Sequence, residues 1–213
     1  MTLSQVSTIS PITLGVVGGI GSGKSYTTAE LVSQGAVRFD ADAQAKALYE
    51  TPSIVAKIRN RWSSVVNSNG TVDYAALARI VFAPTEAGRK ELAFLNSILH
   101  PVLLQKYENW LASLVDCEFA VLDAPLLFEV GWDSRVDYVI FVDASAETRL
   151  RRTIERGWSS DELFKREARQ LPLEVKKARA DFIVDANRDD SQMTQQIRKI
   201  LDTIREKPRR SGS

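Results

Sequence analysis

Residues 18–25 read Gly18-Gly19-Ile20-Gly21-Ser22-Gly23-Lys24-Ser25, and their setting constrains this chain more than any other feature. Ahead of them, Ile12-Thr13-Leu14-Gly15-Val16-Val17 is a short, mostly apolar run with the signature of a strand buried on both faces. Behind them, Tyr26, Ala29 and Val32 recur at helical spacing until Gly35 supplies a stop. A strand, a turn of pattern G-x-x-x-x-G-K-[ST] and a helix make an α/β unit whose turn wraps phosphate. Glycines let the chain approach closely and point backbone N–H groups inward, and the positive end of the helix adds to them. Gly19, Gly21, Ser22, Gly23, Lys24 and Ser25 are therefore the expected nucleotide contacts. The Lys24 charge suits the β and γ phosphates of a nucleoside triphosphate, and the Ser25 hydroxyl suits Mg²⁺. A chance glycine turn is the competing reading, and the matching flanks weigh against it.

Four further strand candidates lie at 36–39, 119–122, 138–142 and 182–184. Asp40, Asp123, Asp143 and Asp185 follow them directly, at the edge where open α/β sheets bind ligands. Between the second and third candidates lie roughly eighty residues without a strand signal, far more than a crossover needs. Val55, Ile58 and Trp62 share a helical face there, Asn69-Gly70 marks a turn, and Asp73 is placed to cap a helix carrying Leu77, Ile80 and Val81. Leu92, Leu95 and Leu99 then run into His100-Pro101, followed by Leu104, Tyr107 and Leu111. The segment reads as a helical insertion beside the sheet edge, with pure packing as the alternative.

Asp40-Ala41-Asp42 follows the second strand, beside the strand that feeds the glycine turn if the two are near neighbours in the sheet. Asp42 is the candidate general base, and Asp40 a supporting or metal-associated carboxylate; simple capping of the next helix competes. From Ser145, read as a helix cap, Arg149, Arg152 and Arg156 follow a helix that Gly157 breaks; Ser159 and Glu162 then form a capping-box pattern ahead of Arg166 and Arg169. An arginine-rich lid of this kind excludes water from a γ-phosphate and neutralises moving charge, while a solvated helix face with Glu155 and Glu167 is the plainer reading. Met193, Ile197, Ile200 and Ile204 share one face of a last helix, and the tail from Lys207 is expected to be disordered.

Composition narrows the rest. With 28 basic and 27 acidic residues the net charge is +1, which gives no general pull toward nucleic acid or an anionic membrane. The single cysteine forbids an intrachain disulfide and the single histidine forbids a His-rich metal site. There is neither an apolar span nor a signal-peptide pattern, so the cytoplasm is the expected location.

The ordered motifs resemble the dephospho-coenzyme A kinase family. Those that carry the likeness are the glycine turn at 18–25, Asp40-Ala41-Asp42, His100-Pro101, and Pro125-Leu126-Leu127-Phe128-Glu129 after Asp123. They continue with Glu147-Thr148 leading to Arg152 and Arg156, then Arg166, Gln170, Lys176, Ala180-Asp181 and Asn187. The resemblance implies a P-loop kinase fold, a three-layer α/β sandwich of the nucleoside-monophosphate-kinase type. It would have a five-stranded parallel sheet with core segments 12–42, 118–144 and 180–206, an acceptor-binding helical insertion at 43–117 and a lid at 145–179. Residues 1–11 would be an N-terminal extension and 207–213 a tail. It further implies Mg²⁺-dependent phosphate transfer from ATP to the ribose 3′-hydroxyl of dephospho-coenzyme A, with catalytic Asp42, Lys24, Arg152 and Arg156. Tyr26 and Asn187 would join the ATP site, and Asp40, Asp42, Lys46, His100, Glu129 and Arg166 the acceptor site. Leu126, Leu127 and Phe128 read more simply as core, and His100 equally as a packing residue. Tyr26 replaces a usual Thr and Lys46 a usual Arg, which loses a planar fork but not a charge. A kinase for another small hydroxyl-bearing metabolite or nucleotide is the main alternative.

Overall fold

The computed structural model describes residues 10–168 and 170–207. Arg169, the first nine residues and the tail from 208 lie outside them, and with these most of the expected extension and tail. In chain order the elements are β1 (Ile12–Gly18), α1 (Lys24–Ser33), β2 (Val37–Asp40), α2 (Ala41–Leu48), α3 (Pro52–Arg61), α4 (Tyr74–Val81) and α5 (Glu86–Ser113). They continue with β3 (Phe119–Asp123), β4 (Tyr138–Asp143), α6 (Ala146–Ile154), α7 (Ser160–Glu167), α8 (Leu173–Arg179), β5 (Phe182–Asp185) and α9 (Asp190–Glu206). All five strand candidates are strands, and the four aspartates expected just beyond them are their last residues.

The sheet order is β2-β3-β1-β4-β5. β1 pairs in parallel with β3 and β4, and β4 with β5. β3 therefore separates β2 from β1, so the carboxylates after β2 do not follow a direct neighbour of the strand feeding the glycine turn. Sequence order is silent on this, because which strands pair is decided by crossovers far longer than any local pattern. β1 and β3 are buried along their whole length, as expected for central strands covered on both faces. Thr13, the polar residue in β1, is accounted for by Asp137. Its N and Oγ1 donate to Asp137 Oδ2 at 2.7 and 2.8 Å, and the Asp137 N–H returns a bond to Thr13 Oγ1 at 2.8 Å. Asp181 ties the start of β5 to β4 similarly, accepting from Val139 N at 2.8 Å.

The face of α9 carrying Met193, Ile197, Ile200, Leu201 and Ile204 is buried with Leu31 of α1 against Leu14, Val16, Ile140 and Val184 of the sheet. Each such aliphatic side chain contributes about 1.5–3 kcal/mol on burial. α8 packs against β1 and β4. No helix among the described residues is long and apolar enough to cross a membrane.

The chain divides into two compact units, Asp40–Ser113 and the remainder. In the smaller unit α5 packs against α2, α3 and α4. Asp73 caps α4, its Oδ1 accepting from Ala76 N at 2.9 Å, and Gly70 turns the chain with φ of +88°. Pro101 lies inside the 28-residue α5 instead of dividing it. Proline removes one backbone hydrogen bond there, and burial of Leu95, Leu99, Leu103 and Tyr107 along one stripe holds the helix through it.

In the larger unit Lys176 of α8 is fully buried. Its ammonium meets Glu129 Oε1 at 2.7 Å and Gln170 Oε1 at 3.0 Å, and the same Glu129 oxygen accepts from Leu171 N at 2.9 Å. Lys176→Met leaves the largely buried Glu129 carboxylate with only the Leu171 N–H as a donor and no countercharge, and is expected to lower stability by about 3–5 kcal/mol in urea unfolding. A change under about 1 kcal/mol would mean that water reaches the pair and screens it.

Candidate active site

The glycine turn joins the carboxyl end of β1 to α1. Gly21 and Gly23 have φ of +75° and +107°, and a Cβ on Gly21 would stand 2.7 Å from the Arg149 carbonyl oxygen, so a side chain there is excluded by both conformation and space. Gly23 is the N-cap of α1 and supplies no side-chain acceptor, and no acidic residue lies in the first turn. The helix end thus keeps its positive character for an anion. Lys24 Nζ curls back to donate to Gly18 O at 3.0 Å and Gly19 O at 2.7 Å. Ser25 is exposed at the helix start, while the hydroxyl of Ser22 is buried without a hydrogen-bond partner.

The arginines of the expected lid take different positions. Arg152 donates from Nη1 to Ser22 O at 2.9 Å and from Nη2 to Ala186 O at 3.0 Å, so one guanidinium joins the glycine turn to the loop after β5. Arg149 is buried on Gly19 and paired with Glu167 at the end of α7. Arg156 lies beyond the end of α6 with its side chain in solvent. Arg166 is also exposed; it pairs with Glu162 at 2.9 Å and covers the Trp158 ring at 4.3 Å. Ser145 and Ser159 cap α6 and α7 through Thr148 N and Glu162 N, both at 3.1 Å.

Asn187 connects the two loops at this sheet edge. Its Oδ1 accepts from Ser145 N at 2.8 Å and its Nδ2 donates to Asp185 Oδ1 at 2.8 Å. Hydrogen bonds from Asn187, together with Arg188, hold the Asp185 carboxyl below the usual carboxylate range. Tyr26 turns toward α9: its hydroxyl donates to Asp190 O at 3.1 Å. Glu129 is committed to Lys176 and Leu171 N through Oε1, and its Oε2 is buried with no hydrogen-bond partner.

Of the residues in the smaller unit, Asp40 caps α2, with Oδ1 accepting from Ala43 N at 2.9 Å. Capping thus accounts for one oxygen of Asp40. Asp42, in the first turn of α2, and Lys46, near its end, are both exposed. His100 is half-buried on α5, and that burial pulls its pKa below the ordinary value. The folded protein therefore favours the neutral imidazole, so the unfolded chain binds more protons just below the ordinary value near 6.5 and stability falls as pH drops through this window. As His100 is the one histidine in the chain, its ring signal in a proton NMR titration identifies itself; a midpoint below about 6.5 is expected, and one above it would place an anion beside the ring.

The structure adds residues that pattern reading passed over. Arg38 reaches Asp123 Oδ2 at 2.7 Å, Lys177 reaches Asp143 Oδ2 at 2.6 Å and Arg188 reaches Asp185 Oδ2 at 2.9 Å, so three of the four strand-end aspartates are already ion-paired. Arg149, one helical turn before Arg152, belongs with the other lid arginines in sequence, and its burial and its pairing with Glu167 are what the structure adds. Nothing local marks Lys176 as buried, since its burial depends on Glu129 and Gln170.

Among the described residues no cluster of three His, Cys, Asp or Glu side chains forms a metal cage. Hard-oxygen donation from Ser25 beside bound phosphates is compatible with Mg²⁺, which is commonly held through substrate phosphates and few protein groups.

Comparison with known proteins agrees with this geometry. The dephospho-CoA kinase family model matches residues 12–193. The dephospho-CoA kinase of Rhodopseudomonas palustris (strain HaA2) is 37% identical over 203 residues, 93% of this chain and 98% of its own. TT1252 from Thermus thermophilus superposes with a TM-score of 0.82 at 32% identity, covering 92% of this chain and 98% of that one. Dephospho-CoA kinase from Campylobacter jejuni gives 0.58 at 25% identity, with 92% and 98% covered. With an α/β sheet that carries a phosphate-type glycine turn, and matches that run through core and insertion alike, the chain belongs to the dephospho-CoA kinase family.

Proposed function

We propose that this chain carries out the reaction of its family, transfer of the ATP γ-phosphate to the ribose 3′-hydroxyl of dephospho-coenzyme A, with Asp42 as general base. The observation that carries the phosphate half is the convergence of Lys24 and Arg152 on one glycine turn, at the start of a helix without a capping side chain. The turn's amides and Lys24 hold the phosphates, and Ser25 offers an oxygen ligand to Mg²⁺, which when bound neutralises charge on the β and γ phosphates. Arg152 fixes the turn against the β5 loop and stabilises charge as it moves, and Arg156, exposed beyond the end of α6, joins it. Asp42 takes the proton of the acceptor hydroxyl, and in-line positioning supplies much of the acceleration. Asn187 lies on the adenine side, and Asp40, Lys46, His100, Glu129 and Arg166 serve the acceptor. A lone cysteine and the absence of a membrane-crossing helix among the described residues support a place in the cytoplasm.

An ADP-release assay with a panel of acceptors tests the reading. Dephospho-coenzyme A is expected to stimulate turnover at least about 100-fold more than shikimate or a nucleoside, because its hydroxyl must be oriented to react. Equal stimulation by an unrelated hydroxyl compound would favour a kinase for a different metabolite.

A further inference from the structure

Arg149 is the charged group near the glycine turn that the mechanism above leaves unused. It is only 8% exposed, yet its Nε–H has no hydrogen-bond acceptor. Buried donors are satisfied in the great majority of cases, so an exception beside a ligand site calls for an explanation. Its location supplies one. The Cδ and Nη1 of Arg149 lie 3.0 and 3.1 Å from where a Cβ on Gly19 would stand, and the Gly19 carbonyl receives Lys24 Nζ at 2.7 Å. Two cations therefore meet on one residue of the phosphate turn. The unpartnered Ser22 hydroxyl borders the same turn, 2.7 Å from the Cβ position of Gly18.

The anion now holding Arg149 is Glu167, the last residue of α7, whose side chain is 29% exposed. A guanidinium presents the same planar fork to a carboxylate and to a phosphate, and a phosphate brings more charge. We propose that Arg149 is a further phosphate ligand of the nucleotide and that the Glu167 carboxylate competes with the nucleotide phosphates for it. Resting on the ATP-site reading, this goes beyond it: arrival of the phosphate chain breaks the Arg149–Glu167 pair and frees the end of α7, so phosphate occupancy is coupled to the lid. The ligand class is a di- or triphosphate; ADP, a non-hydrolysable ATP analogue and inorganic pyrophosphate distinguish a nucleotide from a bare polyphosphate as its source.

Equilibrium binding of these three probes to the full chain, without acceptor, tests the proposal independently of whether dephospho-coenzyme A is the substrate. Arg149→Gln is expected to weaken the ATP analogue about tenfold or more, the worth of a charged hydrogen bond. Glu167→Gln is expected to tighten it several-fold, and to do nothing in the Arg149→Gln background. The sign separates the two roles, since loss of a purely structural ion pair lowers the melting temperature and leaves affinity equal or weaker. Glu167→Gln at the partly exposed position keeps the test alive even if Arg149→Gln does not fold, with Arg149→Lys as the charge-retaining control. Unchanged or weaker binding by Glu167→Gln, or unchanged binding by a folded Arg149→Gln, overturns the proposal.

Discussion

Replacing Asp42 by Asn is expected to lower kcat by about 10²–10⁴-fold while ATP and acceptor still bind, the loss typical when a general base is removed. The substitution keeps size and a hydrogen-bonding oxygen but removes the group that accepts the proton. A fall in kcat with little change in KM identifies a role confined to the transition state. Asp40→Asn is the matched control. Asn caps a helix about as well as Asp, so the Ala43 N–H of α2 keeps its partner and the fold is retained. If Asp40→Asn cost as much as Asp42→Asn, the two carboxylates would act as a unit and the base could not be assigned to one of them. Near wild-type turnover by Asp42→Asn would remove it from the chemistry.

Lys24→Met carries the second large effect, an expected loss of about 10²–10³-fold in kcat. The ammonium already lies on the turn, bonded to Gly18 O and Gly19 O, so in the proposed mechanism its charge is preorganised for the phosphates and little reorganisation accompanies the reaction. Methionine fills the same space and removes the ammonium, while Gly19 O still accepts from Ser22 N at 3.2 Å. Nucleotide affinity should fall less than kcat, because the uncapped end of α1 and the turn amides persist. The check is single-turnover phosphate transfer with saturating nucleotide. Equal losses in ATP affinity and in kcat/KM, with kcat intact, would mean that Lys24 only binds the ground state.

How far the sequence carries can be judged from these residues. The five strands were legible because each is a short apolar run ended by Gly or Asp, and the glycine turn because its chemistry is local. The position of β3 between β1 and β2 was not, since pairing is set by long crossovers. Pro101 signals a break, yet the buried stripe of α5 outweighs the one hydrogen bond that proline removes. Arg149, Arg152 and Arg156 look alike in sequence. Tertiary packing alone makes one buried, one a bridge between loops and one exposed. Tyr26 follows Ser25 in sequence, and that its hydroxyl meets α9, an element 164 residues away, could not be read from its local pattern. That Glu129 engages a fully buried lysine could not be read from sequence, because nothing local in a lysine-rich helix marks Lys176 as buried.

The most direct test of the central claim is transfer from ATP labelled at its γ-phosphate to dephospho-coenzyme A, with the labelled position of the product determined. The account predicts label on the ribose 3′-oxygen of coenzyme A, formed one for one with ADP. Label at any other hydroxyl, or ADP formation with no label on the acceptor, would contradict it.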